Sequence, residues 1–122
     1  MDAQIKRGLL DACVLAVLSR GESYGYMITQ DTLGVMEISE STLYPILRRL
    51  EQQGCLTTRS QEHGGRLRKY YCLTGPGMAR LQTFRGEWRE VKRAVDYIMA
   101  EEDGGRQTSA APQSQTEEGD AP

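Results

Sequence analysis

The 122-residue sequence predicts a mainly α-helical fold carrying one small β-hairpin. Three observations lead there. Apolar residues recur at helical spacing in several stretches that glycine closes. A threonine-bearing run and a basic run meet around Gly64-Gly65, which is hairpin chemistry. Between Leu81 and Ile98 apolar residues alternate at spacings of three and four, the pattern of a seam between helices.

The first helix is expected from about Ile5 to Arg20, with Leu10, Cys13, Val14 and Val17 on one face and Gly21 as the stop. Ser23 can cap a second helix running to about Leu33, with Tyr24, Met27 and Ile28 inward and Gly34 closing it. Within Tyr24-Gly25-Tyr26 the glycine sits in a first turn, where it lowers helix propensity and more often marks close packing than chemistry. The third helix starts at a cap on Ser39 and stops at Gly54, with Leu43, Ile46, Leu47 and Leu50 as its buried stripe. Ser41, Pro45, Arg48 and Gln52 then lie opposite that stripe, flanked by Thr42, Tyr44 and Arg49.

Cys55 to Gln61 reads as a strand, Glu62-His63-Gly64-Gly65-Arg66 as a turn and Leu67 to Leu73 as the returning strand. Alternation puts Arg66, Arg68 and Tyr70 on one face and Leu67, Lys69, Tyr71 and Leu73 on the other. Thr74 caps a final helix, whose first turn tolerates Pro76 because the missing N–H is unpaired there anyway. Leu81, Phe84, Trp88, Val91, Val95 and Ile98 form its seam, and Gly86 falls at an outward position. A helix over residues 75–102 would be about 40 Å long, more than so small a domain covers, so part of the seam is expected to need a second copy of the chain. The alternative is that this helix folds back on the first helix of its own chain. From residue 103 to 122 the composition turns to Gly, Ser, Thr, Gln, Ala, Pro and acids without apolar periodicity, which predicts a disordered acidic tail.

The net charge of -2 averages two unlike regions. Residues 1–100 carry 14 Lys/Arg against 11 Asp/Glu, a net of +3, and residues 101–122 carry 1 against 6, a net of -5. Within residues 41–70 the basic side chains Arg48, Arg49, Arg59, Arg66, Arg68 and Lys69 face only Glu51 and Glu62, and such a patch attracts polyanions. Arg59 reads equally as a solvated strand residue or a phosphate ligand, and Tyr71 reads as core. The three cysteines are widely spaced with no C-x-x-C pattern and read as small buried hydrophobes in a reducing compartment. No run approaches the ~20 apolar residues of a membrane span and the Met1-Asp2 start does not resemble a secretory signal, so a cytoplasmic protein without membrane contact is expected. No P-loop, G-x-S-x-G or metal-spaced His/Cys set is visible, and the single histidine, His63, has no identifiable catalytic partner. Neither an enzyme, a cofactor nor a metal is expected.

Hydroxyls and arginines projecting from a rigid helix are what DNA recognition asks for, since arginine can fork onto guanine or bind phosphate. The plainer reading is a solvated outer face, the default on amphipathic helices. Three helices, a basic hairpin and a last helix in that order outline a winged helix-turn-helix over residues 1–74, followed by a dimerisation helix over 75–102. In that arrangement the third helix enters the major groove and the hairpin is the wing, with Arg66, Arg68 and Lys69 on the backbone or in the minor groove.

Several runs sharpen this outline: Tyr24-Gly25-Tyr26; Thr42-Leu43-Tyr44-Pro45 continuing through Leu50-Glu51 to Gly54; and Gly65-Arg66-Leu67-Arg68-Lys69-Tyr70-Tyr71 leading to Leu73-Thr74 and Gly77. On these the sequence resembles the PadR family of bacterial transcriptional regulators, across most of residues 5–100. The resemblance implies a homodimeric repressor of the compact subgroup, binding a double-stranded operator with an inverted repeat and released by a small-molecule effector. Two departures stand out. Ser41 occupies a place where the family often has glycine, adding a side chain at the groove-facing edge, and Leu67 one where it often has proline, which loosens the wing.

The DNA-binding set expected from these readings is Ser41, Thr42, Tyr44, Pro45, Arg48, Arg49, Arg66, Arg68 and Lys69. Tyr44 is either a packing residue or a phosphate contact through its hydroxyl. Trp88 is either a seam residue or the wall of a pocket for a planar aromatic effector. A winged-helix module that binds protein partners without DNA is the competing function.

Overall fold

The computed structural model describes residues 1–104, and the acidic tail expected over 103–122 lies outside the described residues from 105 onward. The chain divides into two compact units, Met1–Arg85 and Gly86–Pro122. The first contains α1 (Ala3–Leu18), β1 (Ser23–Tyr24), α2 (Gly25–Asp31), α3 (Glu40–Gln52), β2 (Leu56–His63), β3 (Arg66–Leu73) and the start of α4 (Gly75–Gly104). Its strands form an antiparallel sheet in the order β1-β3-β2.

The Asp2 carboxylate caps α1 by accepting the Ile5 N–H at 3.2 Å, an N-cap that satisfies one of the orphan donors of the first turn. From Leu10 to Leu18 the helix is buried on nearly every side, because α2, α3 and β3 all pack on it. Leu15, Ile28, Leu43, Leu47, Leu50, Leu56 and Leu81 complete the core around Val14, each worth roughly 1.5 to 3 kcal/mol of transfer free energy when fully buried. The α3 stripe of Leu43, Ile46, Leu47 and Leu50 is thus buried as its spacing predicts.

The second element differs from expectation. Ser23 is not a helix cap but pairs with Tyr71 as half of β1, so α2 begins only at Gly25 and has no side-chain N-cap. Of its three expected inward residues only Ile28 is fully buried; Tyr24 is half-buried and Met27 exposed. Thr29 and Thr32 are buried instead, their hydroxyls donating to helix carbonyls, Thr29 to Tyr26 at 2.6 Å and Thr32 to Ile28 at 3.1 Å. Such back-bonding lets a polar residue enter a core without an orphaned donor.

Two glycines are required by close approach. A Cβ on Gly25 would run into the Tyr44 ring, 2.8 Å from its Cζ, which explains the glycine between two tyrosines. A Cβ on Gly77 would strike the Cys55 carbonyl, so only glycine lets the first turn of α4 lie against the segment that joins α3 to β2. Thr74 joins the same region: its hydroxyl accepts the Gly77 N–H at 3.0 Å and donates to the Gly54 carbonyl at 2.7 Å. Cys55 is buried, but Cys13 and Cys72 are only partly covered, contrary to the expectation of three buried thiols. Burial raises the pKa of both partly covered thiols.

In the second unit, α4 continues as one helix through residue 104. Lys92 and Asp96 pair at 2.9 Å along its exposed side, an i,i+4 contact. No helix among the described residues is long and apolar enough to cross a membrane.

Candidate nucleic-acid interface

The outer edge of α3 starts from its cap. Ser39 Oγ accepts the Thr42 N–H at 3.3 Å and lies 3.1 Å from both Ser41 Oγ and Thr42 Oγ1, so three hydroxyls gather at the positive end of the helix dipole. Ser41, Thr42, Pro45 and Arg48 are all exposed. Pro45 has no N–H, which deprives the Ser41 carbonyl of its i+4 donor on the same outward edge. Tyr44 is 41% exposed, its ring edge resting on Gly25. It therefore packs and presents its hydroxyl at once.

Arg49 does not belong with Arg48. Its guanidinium pairs with the buried carboxylate of Asp11 on α1, which also accepts from Arg80 at 3.3 Å. One step round the helix from Arg48 turns the side chain toward α1, and a buried acid waits there. The flank position read as a DNA contact is a tie between α1, α3 and the start of α4.

The wing is more regular than its expected five-residue turn. Gly64 and Gly65 have φ of 60° and 81°, so both turn residues are left-handed, as a type I′ hairpin demands. The strands pair without interruption from Leu56↔Leu73 to His63↔Arg66, and Leu67 keeps register opposite Glu62 although no proline fixes its backbone. Tyr71 faces the core, where burial first, then nearby Tyr44 and Glu51, raise its phenol pKa. On the other face Arg59 stacks 4.7 Å above the Tyr70 ring and pairs with Glu22. That hydrogen bond raises the Arg59 pKa and holds the Glu22 carboxyl below its usual range, with the Cys72 thiol adding to the effect on Glu22. Arg59 is thus neither a free solvated residue nor an open phosphate ligand.

Four of the six basic residues remain to meet a polyanion: Arg48, Arg66, Arg68 and Lys69. Arg66 and Lys69 are exposed, and Arg68 lies 3.9 Å over the Tyr24 ring. A cleft of about 350 Å³ runs between α3 and the wing, lined by Tyr24, Tyr44, His63, Arg66, Arg68 and Lys69 among others. Hydroxyls, a histidine and cations around an open groove suit a phosphate backbone. No group of three or more His, Cys, Asp or Glu that could hold a metal exists among the described residues.

The seam residues divide. Leu81 is 2% exposed within the core of the first unit, so the spacing that put it on the dimer seam is spent inside its own chain. Phe84 and Trp88 are half-buried, and Val91, Val95 and Ile98 are exposed.

With this geometry in place, the chain matches the transcriptional regulator PadR-like family over residues 14–83. It is 30% identical over 108 residues to the transcriptional regulator Rv3488 of Mycobacterium tuberculosis, covering 88% of this chain and 94% of the relative. The crystal structure of smu.1704 from Streptococcus mutans UA159 is 43% identical with a TM-score of 0.69, covering 84% of this chain and 92% of that one. Bacillus subtilis PadR, solved in complex with operator DNA, is 30% identical with a TM-score of 0.59, and the match covers 62% of this chain and 45% of that one.

Proposed function

The chain belongs to the PadR-like family of transcriptional regulators, and from that premise we propose that it is a homodimeric repressor whose α3 and wing read an inverted-repeat operator and which a small-molecule effector releases. The observation that carries the reading is the set of open basic side chains, Arg48 exposed on α3 and Arg66, Arg68 and Lys69 on β3, the last three lining one cleft. In this reading Ser41, Thr42 and Pro45 form the groove-facing edge of α3, and Tyr44 sets its phenol toward a backbone phosphate. Trp88, Val91, Val95 and Ile98 bring two copies together, spacing the half-sites about one helical turn, roughly 34 to 36 Å, apart. A flat indole in such a seam also offers a wall to a planar aromatic effector.

The test is a titration of the DNA upstream of the protein's own gene, repeated across salt and against random duplex. Arg48→Ala is expected to cost roughly 1 to 3 kcal/mol and to relax base preference. Lys69→Ala should weaken all sequences alike and lower the salt slope by about one. Arg49→Ala should instead lower the melting temperature while leaving base preference in place, because it strips one partner from a buried carboxylate. An Arg48→Ala protein that binds operator and random duplex as the wild type does removes α3 from the reading role.

A further inference from the structure

The two-residue strand β1 interrupts the run between α1 and α2 and lies against the wing, with Tyr24 opposite Tyr70. Arg68, two residues from Tyr70 on the same face, is then a diagonal cross-strand neighbour of Tyr24, within reach of a long side chain. The contact is made: the Arg68 guanidinium carbon sits 3.9 Å from the Tyr24 ring centroid. Behind it the stack continues. The Tyr24 and Tyr70 rings lie 5.6 Å apart, Arg59 covers Tyr70 at 4.7 Å, and Glu22 holds Arg59 from the residue next to β1.

We propose that Tyr24 is a positioning residue for nucleic-acid binding: its ring holds the Arg68 guanidinium in a fixed orientation, backed by Tyr70, Arg59 and Glu22. The proposal rests on the reading that α3 and the wing bind duplex DNA. Stacking occupies the face of a guanidinium and leaves its in-plane N–H donors free. Among the described residues Arg68 makes no hydrogen bond or ion pair, so those donors are unspent. The ordering of a long side chain is met during folding rather than on binding, which is how preorganisation raises affinity. Lys69, 5.7 Å from the Tyr71 ring, sits at the outer limit of such a contact and Arg66 has none, so Arg68 is the most closely held of the three open cations on β3.

Tyr24→Leu removes the ring and keeps an apolar side chain; Tyr24→Phe keeps the ring. With a random-sequence duplex as the probe, Tyr24→Leu is expected to weaken binding about three- to thirtyfold and Tyr24→Phe by less than about twofold. The salt slope should fall by about one in Tyr24→Leu, as it does when Arg68 itself becomes Ala. On an Arg68→Ala background Tyr24→Leu should change neither quantity further. Nitrogen relaxation at Arg68 Nε in the free protein should show a rigid group in the wild type and in Tyr24→Phe, and a mobile one in Tyr24→Leu. Should Tyr24→Leu fail to fold, Arg68→Lys decides: it keeps the charge, loses the planar stack and should bind several-fold more weakly than wild type. Wild-type affinity and slope in Tyr24→Leu, an equal loss with and without Arg68, or wild-type binding by Arg68→Lys would each overturn the positioning role alone. A wild-type chain without salt-dependent duplex affinity would overturn the DNA reading and the proposal with it.

Discussion

Helices α3 and α4 carry equally regular apolar stripes, yet they meet different fates. In α3, Leu43, Leu47 and Leu50 are at 0% exposure, sealed by the rest of their own unit. In the distal part of α4, Val91, Val95 and Ile98 stand 40%, 45% and 63% exposed. Periodicity states that a face must be covered, not what covers it. Within α4 itself the change of fate falls between Leu81, sealed in the first unit, and Val91, open in the second.

The sharpest way to break this contrast is a charge on the open stripe. Val91→Asp should split the proposed dimer, since an unpaired carboxylate in a desolvated contact is costly. Operator affinity should drop by roughly 10² to 10⁴ as the tethered second half-site is lost. Light scattering and titration on one sample, with circular dichroism to show a folded chain, provide the check; a dimer that persists moves the interface elsewhere. On the sealed side of the same helix, Leu81→Ala should cost about 2 to 5 kcal/mol of folding stability by leaving a cavity. Urea unfolding at two protein concentrations separates the cases: the Leu81→Ala loss should be the same at both, whereas a loss that grows on dilution would return Leu81 to the seam.

A smaller effect belongs to the outer face of the wing. The Glu22 carboxyl titrates below its ordinary value because Arg59, then Cys72, hydrogen-bond its charged form. Its contribution is therefore complete above the unfolded value of about 4.3 and disappears as pH falls through the lower folded value. Wild type and Glu22→Gln should differ in melting temperature at pH 7 and converge as pH falls through the lowered folded value of the Glu22 carboxyl. The difference at pH 7 should be slight, since the Arg59 and Glu22 side chains are 44% and 40% exposed. A gap that stays constant with pH would mean that charge is not what Glu22 supplies.

Local signals in the chain were legible wherever the cause is local. The α3 stripe, the Ser39 cap, the Gly54 stop and the Thr74 cap follow from neighbours a few residues away, and the structure has them as read. What escaped the sequence depends on distant partners. Ser23-Tyr24 looks like a helix start because two residues carry no alternation; they become a strand only when Tyr70 and Tyr71 arrive to pair with them. Arg49 looks like Arg48 until Asp11, 38 positions earlier, is placed beside it. Gly25 announced close packing correctly, but only the fold identifies Tyr44 as the neighbour. The hairpin turn was legible in principle, since two adjacent glycines are what a two-residue I′ turn selects; reading five turn residues shortened both strands.

The two hydrogen bonds that Thr74 donates have a consequence for the wing as a whole. Its hydroxyl reaches the Gly54 carbonyl and its N–H reaches the Cys55 carbonyl at 3.1 Å, so the chain enters and leaves the hairpin through one pinned root. Above that root the hairpin is held by its cross-strand pairs, by the short β1 edge and, near its base, by packing of β2 on α3 and of β3 on α1, where the Thr58 hydroxyl donates to Glu51 at 3.3 Å. Removing or adding two residues on each arm near the tip would preserve which side chains face which way, whereas a change of one would invert them. The reach of the wing is thus an adjustable dimension, graduated in steps of about 7 Å, in a protein whose remaining surfaces need not change with it.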